Sequence, residues 1–86
     1  MSRERFVGVD VSKAWLDVAG RPDPGPWRVA NDPDGTAELV ADLRRLAPAL
    51  VVLEATGGLE LPVVAALHVA GLPVAVVNPR QARDFA

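Results

Sequence analysis

Two carboxylates in this 86-residue chain stand where chemistry is commonly done. Asp10 comes near the end of the apolar run Arg5-Phe6-Val7-Gly8-Val9-Asp10-Val11, and Glu54 directly follows Leu50-Val51-Val52-Leu53. Both runs have strand character, and open α/β sheets place their functional crevice at the carboxyl ends of strands. If the two strands are parallel neighbours they lie about 4.8 Å apart, close enough for both acids to converge on one hard cation. Two unpaired carboxylates at that separation repel unless a metal or a proton intervenes. Mg2+ or Mn2+ suits an all-oxygen donor pair, and Mg2+ keeps several waters and a substrate phosphate in its shell. The plainer alternative is that each acid is a solvated strand-end residue, as most Asp and Glu are.

Other residues have weaker claims. Thr56-Gly57-Gly58 precedes a helix and could present backbone amides to a phosphate; an ordinary strand-to-helix turn explains it equally. Lys13 follows the first acid and could reach a phosphate, or be a solvated turn residue beside Ser12, which has no local histidine base to activate it. Arg80 and Arg83 are three apart, so on a helix they share a face that fits a nucleic-acid backbone or water. His68, among Ala66, Leu67, Val69 and Ala70, reads as a packed or surface helix residue. Trp15 and Trp27 read as sheet packing, because the sequence puts no basic groove around them.

These residues need elements to position them. Residues 5 to 11 and 14 to 19 read as two strands joined through Ser12-Lys13, with Gly20 closing the second. Arg21-Pro22-Asp23-Pro24-Gly25-Pro26 is a turn, since proline cannot donate to a ladder, and Trp27 to Ala30 is a third strand. Asn31-Asp32-Pro33-Asp34-Gly35 combines capping residues with an early proline. Leu39, Val40, Leu43, Leu46 and Ala47 follow at helical spacing, with Asp42, Arg44 and Arg45 toward water. Pro48 stops that helix. Leu50 to Leu53 is predicted to be a strand buried on both faces, residues 59 to 70 a helix with Pro62 in its first turn and Gly71 as its stop, and Leu72 to Val77 a second buried strand. Asn78-Pro79 begins a last helix that the sequence cuts short. The prediction is an α/β single domain over 1–86: a five-stranded mixed sheet, three antiparallel strands followed by β-α-β-α-β with right-handed crossovers.

Composition narrows the partners. Half the residues are hydrophobic and 23% are charged, enough for a core and unlike a disordered chain. Nine basic residues stand against eleven acidic ones, a net charge of −2, so the overall field does not steer toward phosphate and any nucleic-acid contact must be local or metal-assisted. The absence of cysteine excludes disulfides and thiol chemistry and suits a reducing cytoplasm. The apolar stretch Leu61 to Val77 is broken by Pro62, His68, Gly71 and Pro73 and falls short of the roughly 20 residues a membrane span needs.

Three stretches, in order and spacing, resemble a known family. They are Val7-Gly8-Val9-Asp10-Val11-Ser12-Lys13 with Leu16-Asp17-Val18; Val52-Leu53-Glu54-Ala55-Thr56-Gly57-Gly58; and Gly71-Leu72-Pro73-Val74-Ala75-Val76-Val77-Asn78-Pro79-Arg80-Gln81-Ala82-Arg83. Together they resemble the N-terminal domain of bacterial insertion-sequence transposases, a RuvC-like, ribonuclease-H-like DEDD domain. The resemblance implies metal-dependent DNA cleavage and strand transfer, with Asp10 as the first acid and Glu54 as the second. It also implies a structured guide RNA as a partner and a homo-oligomer at full length. The family's two remaining aspartates fall beyond Ala86, and Asp84 is no stand-in, so the chain is expected to be an incomplete piece with little activity alone. Asp17 occupies a position the family shares and is expected to be structural. Two alternatives remain. One is an actin-like or sugar-kinase-type ATP-binding lobe, against which Val11 stands where a glycine is usual. The other is a non-catalytic interaction module left by truncation.

Overall fold

The computed structural model describes residues 4–78. Its elements are β1 (Phe6–Val11), β2 (Trp15–Arg21), β3 (Trp27–Ala30), α1 (Pro33–Leu46), β4 (Leu50–Glu54), α2 (Leu61–Val69) and β5 (Val74–Val77). The strands form one sheet in the order β3-β2-β1-β4-β5. Strand β1 is antiparallel to β2 and parallel to β4; β2 and β3 are antiparallel, and β4 and β5 parallel. The five-stranded mixed sheet read from the sequence is therefore the one observed.

Alternation along the strands divides the sheet into two faces. Val7, Val9 and Val11 of β1, Leu16 and Val18 of β2, and Val51 and Leu53 of β4 point into the core. Leu39 and Leu43, one turn apart on α1, and Val63 and Leu67, one turn apart on α2, cover that face and are fully buried. Each such leucine contributes about 1.5–3 kcal/mol relative to an exposed one. The opposite face carries Phe6, Gly8 and Asp10, Trp15 and Asp17, and Val52 and Glu54.

That division corrects two expectations. Strand β4 is not buried on both faces, since Leu50 and Val52 are only half-buried, and β5 is half-buried or exposed along its length, Val76 by 45%. A run of apolar residues encodes a preference for burial, but both described helices pack on one side. Strand β2 also continues beyond its expected end: Gly20 lies inside it and donates its N–H to the carbonyl of Pro24 at 3.0 Å. A side chain there would come within 2.6 Å of the Asp23 carbonyl oxygen, so the Pro-rich turn folds back over a position that only glycine fits. The final helix expected from Pro79 onward lies outside the described residues. Among the described residues no helix is long and apolar enough to cross a membrane.

Helix α1 starts as its sequence dictates. Asp32 caps it by accepting from the Gly35 N–H at 2.7 Å, and Pro33 fills the first turn, where no amide donor is needed. It ends at Ala47, which adopts the left-handed conformation (φ 48°) ahead of Pro48. Helix α2 begins at Leu61, two residues later than expected, and Gly71 (φ 78°) follows it.

Gly35 meets β3 more closely than any other described glycine meets its surroundings: an added Cβ would fall 1.9 Å from the Ala30 carbonyl oxygen. Gly35→Ala is expected to destabilise the chain by about 2 kcal/mol or more, outweighing the roughly 1 kcal/mol that alanine ordinarily gains over glycine in a helix. Urea unfolding of the two proteins, with the midpoint falling in the variant, checks this.

Candidate functional site

The parallel pairing of β1 and β4 runs from Phe6↔Leu50 to Val9↔Leu53. Asp10 and Glu54 each come one residue later, so they stand side by side on adjacent strands and on the open face. Both are exposed. The antiparallel pairing of β1 and β2 sets Asp17 directly opposite Asp10, and that of β2 and β3 sets Arg28 opposite Asp17. One row thus crosses the sheet, from Arg28 through Asp17 and Asp10 to Glu54, with Val77 beyond it on β5.

Asp10, Asp17 and Glu54 line a single open concavity of about 590 Å³. Its floor is made by small or β-branched residues, Gly8, Ala19 and Val52, which form the next row and keep the sheet surface low beside the acids. Within the row, Asp17 is engaged: the Arg28 guanidinium donates to its two carboxylate oxygens at 2.8 and 3.3 Å. The same hydrogen bond, and after it the charge of Asp17, raises the pKa of Arg28. The Arg28 guanidinium also lies 5.0 Å from the centroid of the Trp15 ring, a cation–π distance. Among the described residues no three potential metal-ligating side chains are grouped to hold an ion, so Asp10 and Glu54 stand as two oxygen donors on neighbouring strands, with Asp17 beside Asp10 engaged by Arg28. That donor set fits a hard divalent cation completing its shell with water and phosphate.

The loop after Glu54 is organised by a residue the sequence reading passed over. Glu60 is 7% exposed, and its Oε1 accepts from the Thr56 N–H at 2.8 Å, the Thr56 hydroxyl at 3.0 Å and the Gly58 N–H at 3.1 Å. Gly57 and Gly58, at φ 69° and 108°, let the backbone wrap this carboxylate. Two amides of the Thr56-Gly57-Gly58 loop therefore have an anion of the chain's own as partner. These donors hold Glu60 at a pKa of about 2, down from 4.5, the Thr56 N–H contributing most.

The other candidates are scattered. Lys13 is exposed in the β1–β2 turn, where Ser12 bonds Trp15: its hydroxyl donates to the Trp15 carbonyl at 3.1 Å and accepts the Trp15 N–H at 3.3 Å. His68 is exposed on α2. Trp27 packs against the core, as the sequence reading has it, whereas Trp15 is 44% exposed on the open face. Arg80 and Arg83 lie outside the described residues. The Asp17–Arg28–Trp15 group was missed because its members lie up to 13 positions apart and meet only through strand register. The available signal was the alternation that puts Trp15 and Asp17 on the same face as Asp10.

With Glu60 depressed, its ionised form stabilises the fold fully above about pH 4.5, and that contribution is lost as the pH falls toward 2. Urea midpoints measured across that window should fall more steeply for the parent than for Glu60→Gln. At neutral pH the variant should be the less stable, because its neutral amide oxygen accepts the three bonds more weakly.

A family description of transposases, the DEDD type named for the insertion sequence IS110, matches residues 7–86. Among solved structures, RuvC from Thermus thermophilus superposes with a TM-score of 0.64 at 21% sequence identity, covering 90% of this chain and 63% of the RuvC chain. This chain thus spans less than two thirds of the RuvC chain, and at that identity the likeness establishes the RuvC-like fold. No curated protein sequence matches. The chain belongs to the DEDD transposase family of the IS110 type.

Proposed function

We propose that Asp10 and Glu54 of this transposase-family chain hold a divalent cation, Mg2+ or Mn2+, at a site of DNA strand cleavage and transfer. The observation that carries this reading is their placement: each stands one residue past the last β1–β4 pair, on the same open face, in one concavity. When bound there, the cation would polarise the scissile phosphate, offset charge developing in the transition state and orient the attacking group.

The chain's own residues supply the setting. Adjacent parallel strands hold the backbones of the two acids about one strand spacing, 4.8 Å, apart. Gly8 on the floor leaves room for a phosphate to approach, since no atom lies within 4 Å of where its Cβ would be. Glu60 fixes the loop that leaves Glu54, so the second acid stands on ordered backbone. Two carboxylates leave most of a six-coordinate shell to water and substrate, so the affinity for the free ion is weak and strand cleavage by these 86 residues alone is low.

In this reading DNA is the substrate, with a structured guide RNA and further copies of the chain as partners. Lys13, Arg80 and Arg83 are backbone contacts. A phosphate contact at Thr56-Gly57-Gly58 would fall on the Gly57 amide, because Glu60 holds the Thr56 and Gly58 amides.

Calorimetric titration with Mn2+ is expected to show weak binding to the parent, weakened further by roughly 10- to 100-fold in Asp10→Ala and in Glu54→Ala, at least what the loss of a supporting contact costs a metal site. Equal binding by the parent and both variants would separate the two acids and sink the reading.

A further inference from the structure

Trp15 and Arg28 form a unit that neither the fold nor the cation site requires. Leu16 and Val18 alternate into the core, so Trp15 projects from the open face, where an indole gains little from burial. It is 44% exposed, unusual for a residue type that is highly buried on average. Its backbone is nonetheless held firmly: Trp15 closes the Ser12 turn through three bonds, the Asn31 side chain donates to the Ser12 carbonyl at 2.8 Å, and the Asn31 N–H donates to the Ala14 carbonyl at 2.9 Å. Arg28 is held over the ring by its paired bonds to Asp17. The result is an exposed aromatic surface and a guanidinium, both ordered in advance, with Lys13 exposed two residues away.

We propose that Trp15 and Arg28 are a contact for a DNA strand, the exposed indole stacking on an unpaired base and the guanidinium taking a neighbouring phosphate. This rests on the DNA-directed reading above and deepens it by naming where the strand is gripped. Stacking on an aromatic side chain is insensitive to base identity, and arginine beside the ring adds charge where the backbone passes. Asp17 takes the Nε and one terminal nitrogen of Arg28, so the guanidinium stays over the ring while its other terminal nitrogen meets the phosphate. Charge complementarity selects this end of the face. Asp10 and Glu54 repel phosphate at the centre of the sheet, whereas Arg28 on the edge strand β3, two strand spacings or about 10 Å from Asp10, attracts it, with Lys13 exposed in the β1–β2 turn. A strand gripped there reaches the two acids within a nucleotide or two.

The test is binding of a short fluorescent thymidine oligodeoxynucleotide to the 86-residue chain over a range of salt concentrations. For the parent, log affinity should fall linearly with log salt. Arg28→Gln should lower that slope by about 0.7, one single-strand phosphate contact. Trp15→Leu should weaken binding by roughly tenfold with the slope unchanged, whereas Trp15→Phe, which keeps a ring, and Arg28→Lys, which keeps the charge, should lie close to the parent. A purely structural role would move urea midpoints and leave the salt slope alone. No binding by the parent, or the same affinity and slope in Arg28→Gln and Trp15→Leu as in the parent, overturns the proposal. Mn2+ titration in the absence of DNA tests the cation reading separately, so either can fail while the other stands.

Discussion

Strand β1 pairs antiparallel with β2 on one side and parallel with β4 on the other, and the remaining architecture hangs on that change of direction. The antiparallel side needs only the Ser12 turn. The parallel side needs a crossover long enough to return the chain to the same end of the sheet, which β3 and α1 provide. Because β1 lies third of five strands, its residues are flanked on both sides, and a side chain near its end is met by β2 from one direction and β4 from the other. Asp10 occupies that place. Its neighbours Asp17 and Glu54 both come later in the chain, on strands that run in opposite directions, and are set beside it by hydrogen-bond register alone.

The two faces of the sheet divide the work. One is closed by Leu39, Leu43, Val63 and Leu67 and supplies the apolar burial that holds the chain together. The other carries the acids, Arg28 and Trp15, with Gly8 and Ala19 between them, and adds little burial. Substitutions on the open face therefore alter chemistry at small cost to folding, and those on the closed face do the reverse.

Much of this was legible in the residues. The alternation of Val7, Val9 and Val11 marked β1 and placed Asp10 on the opposite face. Pro48 and Gly71 marked where the helices stop, and Asp32-Pro33 marked where α1 begins, because caps and breakers act locally and carry their own signature. The reading failed where the cause was distant. Gly20 looked like a strand end, yet the strand continues and the glycine is required by the Asp23 carbonyl folded over it. Glu60, between Leu59 and Leu61, carries no local signal of burial; its burial follows from the path of two glycines before it. The apolar runs of β4 and β5 predicted two covered faces, but a run cannot say how many layers are present.

Gly35 has a mechanical consequence. Its backbone lies so close to Ala30 that the start of α1 and the end of β3 are effectively bolted together, with only Asn31 and Asp32 between them. A joint that short and that filled cannot act as a hinge. The β4–α2 connection is fastened by other means: the Thr56 and Gly58 amides and the Thr56 hydroxyl all bond the Glu60 carboxylate. The two ends of the acidic row are therefore tied to the helices differently, by a filled backbone joint on the β3 side and by hydrogen bonds to one buried carboxylate on the β4 side.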